Sequence, residues 1–454
     1  MRKQFILGLL FLLPFGVKGQ EVLTLQDCRE MALQYNKQMA AAVKQTQGAR
    51  YMQKSFKGNF FPNFSAYAND MYGSMDGTLG IPGGNLPVFI PVTPEVKIPI
   101  GFAYFPGIEL NLKMKNVFMG GVMMEQPLYM GGKILAAYKM SKIGVQTSRL
   151  NERLTASEVI LETENAYALL VKAKEMQKVA TTYNTLLKEL MKVVESAHKH
   201  GLKPKNDVLK VQVKLNESEL SIRKAENACR LSTMNLCHLI GKPLTSQLEI
   251  DGEYPHVNVS SDENLATITD RPEYAMLDKK VELAKQEVKL QRSELLPKVG
   301  VRGSYDYVNG LKVNEQKLFD KGSFSVMLNV TVPIFHFGER YNKVRASKIK
   351  LEQARLQQSD LNEKMMLELT QTENNLDEAK LEAELADRSL DQAAENQRVS
   401  RSQYEAGLET LSDHLEAQAL WQQAYATQVD AHFQLYLQYV KYLKASGRLT
   451  TNNY

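Results

Sequence analysis

Apolar and polar side chains alternate along two stretches in the second half of the chain. Val301, Gly303, Tyr305 and Tyr307 are interleaved with Arg302, Ser304 and Asp306, and Phe324, Val326, Leu328, Val330 and Val332 with Ser325, Met327, Asn329 and Thr331. A period of two predicts β-strands at about 299–308 and 323–332, each with one apolar and one wet face. Their length suits a transmembrane β-strand of about 9–11 residues, and an ordinary half-buried soluble sheet is the competing reading. The next stretch has another rhythm. From Glu339 to Ala406 there is neither Pro nor Gly, and Leu376, Ala379, Ala383, Ala386, Leu390 and Ala393 recur at alternating steps of three and four. That spacing predicts a helix wound left-handedly against its neighbours, with alanines letting them come close. Unbroken, it would be about 100 Å long at 1.5 Å per residue.

The same succession occurs twice. Asn36–Pro62 aligns without a gap on Arg271–Pro297, so that two helical segments each end at an apolar residue and a proline, Phe61-Pro62 and Leu296-Pro297. A second constant offset lays Pro127-Leu128-Tyr129-Met130-Gly131-Gly132 on Pro333-Ile334-Phe335-His336-Phe337-Gly338, and it continues through Gly201 on Gly407, Asp207 on Asp413 and Gly241 on Gly447. Register held across both glycine turns predicts two tandem repeats, 20–241 and 262–447, each ending in a long helical hairpin, 133–240 and 339–446. A joining segment, 242–261, lies between them, and 448–454 is a tail. Strands are expected in the first repeat at about 63–73 and 117–126, the latter with Phe118, Val122 and Met124 on one side. Between them, Pro82, Pro87, Pro91, Pro94 and Pro99 among several glycines read as a loop. Pro62, Pro127, Pro297 and Pro333 mark the changes between helix and strand.

Four strands cannot close a barrel, and open edges cannot be left in lipid. Several copies must therefore contribute. Three would supply twelve strands, an even number within the range of known barrels, and twelve long helices able to form a second tube. The expected fold is mainly α with a small membrane β part, in which three copies would join a twelve-stranded β-barrel to a long α-helical barrel.

Composition narrows the reading. Arg2 and Lys3 precede the apolar run Phe5–Phe15, and Val17 and Gly19 suit cleavage before Gln20, so 1–19 reads as a secretory signal, with an uncleaved anchor as the alternative. Losing Arg2, Lys3 and Lys18 removes three of the five excess positive charges, which leaves no argument for nucleic acid. Cys229 and Cys237 stand about 12 Å apart along a helix, too far to bridge, and with Cys28 they form no disulfide framework. No later apolar run is long enough for a membrane-spanning helix. His198 and His200, at i and i+2, do not share a helical face and carry no metal reading. Tyr425, Phe433, Tyr436, Tyr439 and Tyr442 read as packing. There is no nucleophile elbow, zinc-protease motif, phosphate loop or dinucleotide fingerprint, hence no catalytic residue, metal or cofactor to expect.

The chain resembles the TolC-like outer membrane efflux proteins over essentially all of its mature length. The resemblance rests on the opening Leu23-Thr24-Leu25 through Ala32-Leu33 to Asn36, the Pro62 and Pro297 exits, the two Pro-Gly motifs and the paired Gly…Asp turns. It implies a homotrimer that forms a passive exit duct in the cell outer membrane, reaching into the periplasm. Its implied partners are outer-membrane lipid, a periplasmic adaptor and an inner-membrane pump. It also implies that Tyr404, Asp413, Glu416 and, from the first turn, Asp207 line and latch the periplasmic aperture. The family can carry Arg where this chain has Glu409. Lys203 holds the matching place in the first turn, so Lys203 and Glu409 are expected to pair across adjacent turns. Threefold symmetry gives an independent reason, since each acid becomes a ring that attracts cations and repels itself. The competing reading makes Asp207 and Asp413 helix caps. For the whole chain it is a periplasmic coiled-coil scaffold without a pore.

Overall fold

A computed structural model of the chain describes residues 22–91, 97–252, 254, 267–317 and 321–449. The expected signal 1–19, Pro94, residues 253 and 255–261 of the joining segment, and the tail beyond Leu449 lie outside the described residues. The chain divides into two compact units. One takes in the described residues up to Ala49 with Val145–Val281 and those from Ala354 onward; the other is Arg50–Gly144 with Glu282–Gln353.

The repeat is visible in the elements themselves. The first half runs α1 (Leu25–Tyr35), α2 (Lys37–Gly58), β2 (Asn63–Ile81), β3 (Gly84–Pro91), β4 (Lys97–Phe105), β5 (Ile108–Met130), α3 (Lys133–Lys199) and α4 (Lys205–Leu239), preceded by the short β1 (Val22–Leu23). A short β6 (Glu249–Ile250) pairs in parallel with β1. The second half runs α5 (Pro272–Ser293), β7 (Lys298–Val313), β8 (Gln316–Lys317), β9 (Ser323–Thr331), α6 (Glu339–Glu405) and α7 (Leu411–Ala445). α3 and α6 each hold 67 residues, and α4 and α7 each hold 35. All four close on a left-handed glycine, Gly201, Gly407, Gly241 and Gly447. In each, the next residue's amide donates to a carbonyl of the last turn, as Leu202 does to Ala197 and Leu408 to Gln403, both at 2.9 Å. α3 runs unbroken through Gly144.

In the helical unit, the expected seam packs on α7. Leu376, Ala379, Ala383 and Ala386 are buried, and Ala383 and Ala386 cluster with Ala431 and Leu435. The main core gathers Cys28 and Ala32 of α1, Val159, Tyr167 and Leu170 of α3, Leu236 of α4, and Phe433, Tyr436 and Val440 of α7. Inside it, Arg29 forms an ion pair with Glu164, whose other carboxylate oxygen accepts from the Tyr436 hydroxyl. At Asn36 the chain leaves α1 for α2, and the Asn36 Oδ1 caps the new helix by accepting from the Gln38 amide at 2.8 Å.

In the sheet unit, β2, β5, β7 and β9 form an antiparallel sheet in that order. Residues directly opposite share a face. One row is Ala66–Val122–Tyr305–Phe324 and the next is Phe64–Met124–Gly303–Val326. The other face carries Tyr67–Gly121–Asp306–Ser323 and Ser65–Met123–Ser304–Ser325. An apolar band therefore crosses all four strands on one face, and its large members, among them Phe64, Val122, Tyr305, Phe324 and Val326, are exposed. The opposite face is stitched by polar contacts: the Tyr67 hydroxyl donates to Asp306 at 2.6 Å, and Ser304 meets Ser325 at 2.9 Å. Among the described residues, the outer edges of β2 and β9 are unpaired.

Three expectations need correction. The strands are longer than their alternation indicated: β2 holds 19 residues, β5 23 and β7 16. The Pro- and Gly-rich stretch read as a loop is also strand. β2 continues to Ile81, paired with Ile108, and β3 and β4 form a separate ribbon from Gly84↔Phe105 to Pro91↔Lys97. A two-stranded ribbon has two outer edges, so a proline whose missing N–H faces outward costs no ladder bond. Pro127, expected at the change from strand to helix, lies inside β5 beside a shift in register.

Candidate functional site

The two helix turns come together over a small core. Leu190, Met191 and Val194 of α3, Val208 and Val211 of α4, Tyr404 of α6, and Leu411 and Leu415 of α7 pack as one cluster. The Lys210 ammonium bridges the two turns by donating to Ser412 Oγ at 3.1 Å.

Each turn is set by its own chemistry. In the first, the His198 ring meets the Lys203 carbonyl through Nδ1 at 2.9 Å, so this histidine holds the turn. α4 begins after Pro204, with no side-chain cap. In the second, Thr410 is the N-cap of α7: its hydroxyl accepts from the Asp413 amide at 3.3 Å and donates to Asp413 Oδ2 at 2.7 Å. The cap is therefore Thr410, with Asp413 as the residue it engages, whereas Asp207 sits in the first turn of a helix with no such cap.

Tyr404 is the centre of the arrangement. Its ring is buried, and the Lys203 ammonium lies 5.1 Å from the ring centroid, within cation–π range. The imidazole of His414 stacks on it with centroids 5.2 Å apart and planes 5° from parallel. Burial, and then the charge of Asp207, raises the Tyr404 phenol above its ordinary range. Tyr404 and Asp207, both expected at the aperture, are thus neighbours. Asp413 and Glu416 are exposed.

The expected Lys203–Glu409 pair is not made within the chain. Lys203 is engaged with Tyr404, and among the described residues Glu409 Oε2 is buried without a hydrogen-bond partner. The charges sit at matching places in the repeat, but Lys203 turns inward over an aromatic ring and Glu409 leans toward His414, whose proton affinity it raises.

Sequence reasoning missed two groups. The first is His414 with its partners Ser400 and Gln418, all buried. The second is Arg29–Glu164–Tyr436. Its signal was present: Glu164 falls between Ile160 and Tyr167 at helical spacing, on the stripe α3 buries. Among the described residues no cluster could hold a metal ion, and no helix is long and apolar enough to cross a membrane, which says nothing of strands.

A family profile described as outer membrane efflux protein matches residues 28–242 and 267–448, one block for each half. The chain belongs to the outer membrane efflux protein family. Among relatives of this efflux family, the pyoverdine export outer membrane protein OpmQ of Pseudomonas aeruginosa is 22% identical over 318 residues, 68% of this chain and 64% of that protein. The alkaline protease secretion protein AprF of the same organism is 21% identical over 316 residues, 67% of this chain and 64% of its own. The chain thus spans under two thirds of both curated relatives. The fold matches the Campylobacter jejuni CmeC outer membrane channel with a TM-score of 0.74 at 19% identity, covering 93% of this chain and 85% of that one.

Proposed function

We propose that this efflux-family chain is one third of a passive exit duct in the outer membrane. The observation that carries the reading is the sheet: four antiparallel strands share one exposed apolar face and one hydrogen-bonded polar face, and among the described residues both outer edges are unpaired. In lipid an unpaired strand edge costs several kcal/mol per group, so β9 of one copy must find β2 of the next. Three copies close twelve strands, apolar side to the lipid and polar side to a water-filled lumen. The long helices extend the duct into the periplasm, where an adaptor and an inner-membrane pump deliver cargo.

Tyr404 and Asp207 stand at the periplasmic aperture in this reading, with Asp413 and Glu416 adding exposed carboxylates that three copies turn into rings favouring cations. Cargo choice is left to the pump, as the differing export roles in the names OpmQ and AprF suggest for the family. The test is conductance: detergent-extracted protein added to a planar lipid bilayer gives discrete, cation-preferring channels, and neutralising Asp413 and Glu416 together weakens that preference. Protein that leaves the bilayer silent overturns the duct and favours the poreless scaffold.

A further inference from the structure

His414 is an unusual residue to find beneath an aperture. It sits one turn into α7, is 3% exposed, and has a partner for every ring atom that needs one. Gln418, one turn further on, places its amide nitrogen 2.9 Å from Nε2. With the amide so oriented Nε2 accepts, which puts the proton on Nδ1, 3.0 Å from Ser400 Oγ on α6. This network suits a neutral imidazole. It leaves Gln418 Oε1 buried with no hydrogen-bond partner among the described residues. A half-turn of that amide would bring Oε1 to face Nε2. Both ring nitrogens could then donate, which is the requirement of an imidazolium.

The charges around His414 come from every helix packed there. α6 brings Arg401 and Glu405, and the start of α7 brings Glu409. α3 brings Glu189, 3.8 Å from Arg401, and the first turn brings Lys203 and Asp207 through the shared Tyr404 ring. Burial holds the imidazole below its ordinary value of 6.5; Glu409 pushes it back up, Arg401 pushes it down, and Glu405 pushes it up.

We propose that His414 is the positioning residue for Tyr404: its neutral ring clamps the Tyr404 ring into the core under the helix turns, and a proton taken up by His414 releases it. The inference rests on the reading of Tyr404 as an aperture residue. A charged His414 would be a second cation on a ring that already carries Lys203, in a site that excludes water. Released into the lumen, the same imidazole titrates at its ordinary value. The packed state is therefore fully favoured above about pH 6.5 and loses ground as the pH falls below it. The aperture carboxylates ionise near pH 4. His198, which holds the first turn at the Lys203 carbonyl, is a second imidazole beside the site, so variants at His414 are needed to assign the response.

The experiment is single-channel recording of the full-length trimer in planar bilayers at pH 7.5 and 5.5. The expected result is an open probability severalfold higher at pH 5.5, and a flat profile in His414→Phe, which keeps a ring against Tyr404 but takes no proton. His414→Gln, which removes both the ring and the proton, should be equally flat and more often open. A flat wild-type profile overturns the inference whether or not either variant assembles, and so does an acid response that survives in His414→Phe. Absence of any channel is a different failure, of the duct itself, and takes this inference with it.

Discussion

The Arg29 guanidinium and the Glu164 carboxylate pair with 2% and 0% of their side chains exposed, and Tyr436 donates to the same carboxylate. The contact ties α1 to α3 and α7, fastening the start of the first repeat to helices of both repeats. Removing one partner of a buried pair strands the other charge. Glu164→Gln and Arg29→Met should each destabilise the protein by about 3–5 kcal/mol. The double variant Arg29→Met/Glu164→Leu should recover much of that loss, because no charge is then left buried. Thermal unfolding in detergent checks this; a double variant no better than the worse single would be evidence against it.

The sheet predicts a difference between neighbours. Val326 faces the apolar side and Ser325 the polar side. Val326→Lys should cost about 2–4 kcal/mol where it meets the bilayer midplane, whereas Ser325→Lys should be nearly neutral. Folding into lipid vesicles, followed by gel shift, reads both. Equal costs would mean that the faces are misassigned.

Two glycines with nearly the same backbone should differ when replaced. Gly201 and Gly241 both have φ of +75°, but a Cβ on Gly201 meets nothing within 4 Å, while one on Gly241 falls 2.5 Å from the Tyr35 Cβ. Gly201→Ala should cost about 1–2 kcal/mol for the left-handed conformation alone. Gly241→Ala should cost clearly more, because Tyr35 must move as well, and the thermal midpoints should rank in that order.

Glu294 predicts an acid-sensitive joint. It accepts from Lys298 at 2.9 Å and Lys133 at 3.0 Å, and these two ammonium groups hold its carboxyl down to about 2, against an ordinary 4.5. A depressed acid contributes stability that is present above its unfolded value and lost as pH falls through the folded one. Protection against hydrogen exchange at the start of α3 and β7, relative to the intrinsic rate at each pH, should therefore fall between about pH 4.5 and 2. Glu294→Gln should exchange faster at neutral pH and lose that dependence.

Much of this was legible in the residues. The freedom from Pro and Gly that marks Glu339–Ala406 gave α6 almost to the residue, because nothing competes with the helix there. Gly201 and Gly407 gave the turns, because only a left-handed residue closes them in this way. Phe324–Val332 gave β9, because alternation over its whole length has one interpretation. The β3–β4 ribbon was not legible, since Pro87 and Pro99 argue against a strand until its two free edges are known. The inward lean of Lys203 and Glu409 was hidden too: matching places in a repeat fix the backbone, while the choice between a carboxylate and an aromatic ring depends on packing from four helices. His414 gave no signal, as a lone histidine in a helix has no pattern of its own.

The claim on which the rest stands is that one copy is an incomplete wall. Native mass spectrometry of the protein released from detergent tests it most directly. The account predicts particles of three chains that need detergent or lipid to stay in solution. A single chain, stable in plain buffer, would contradict it.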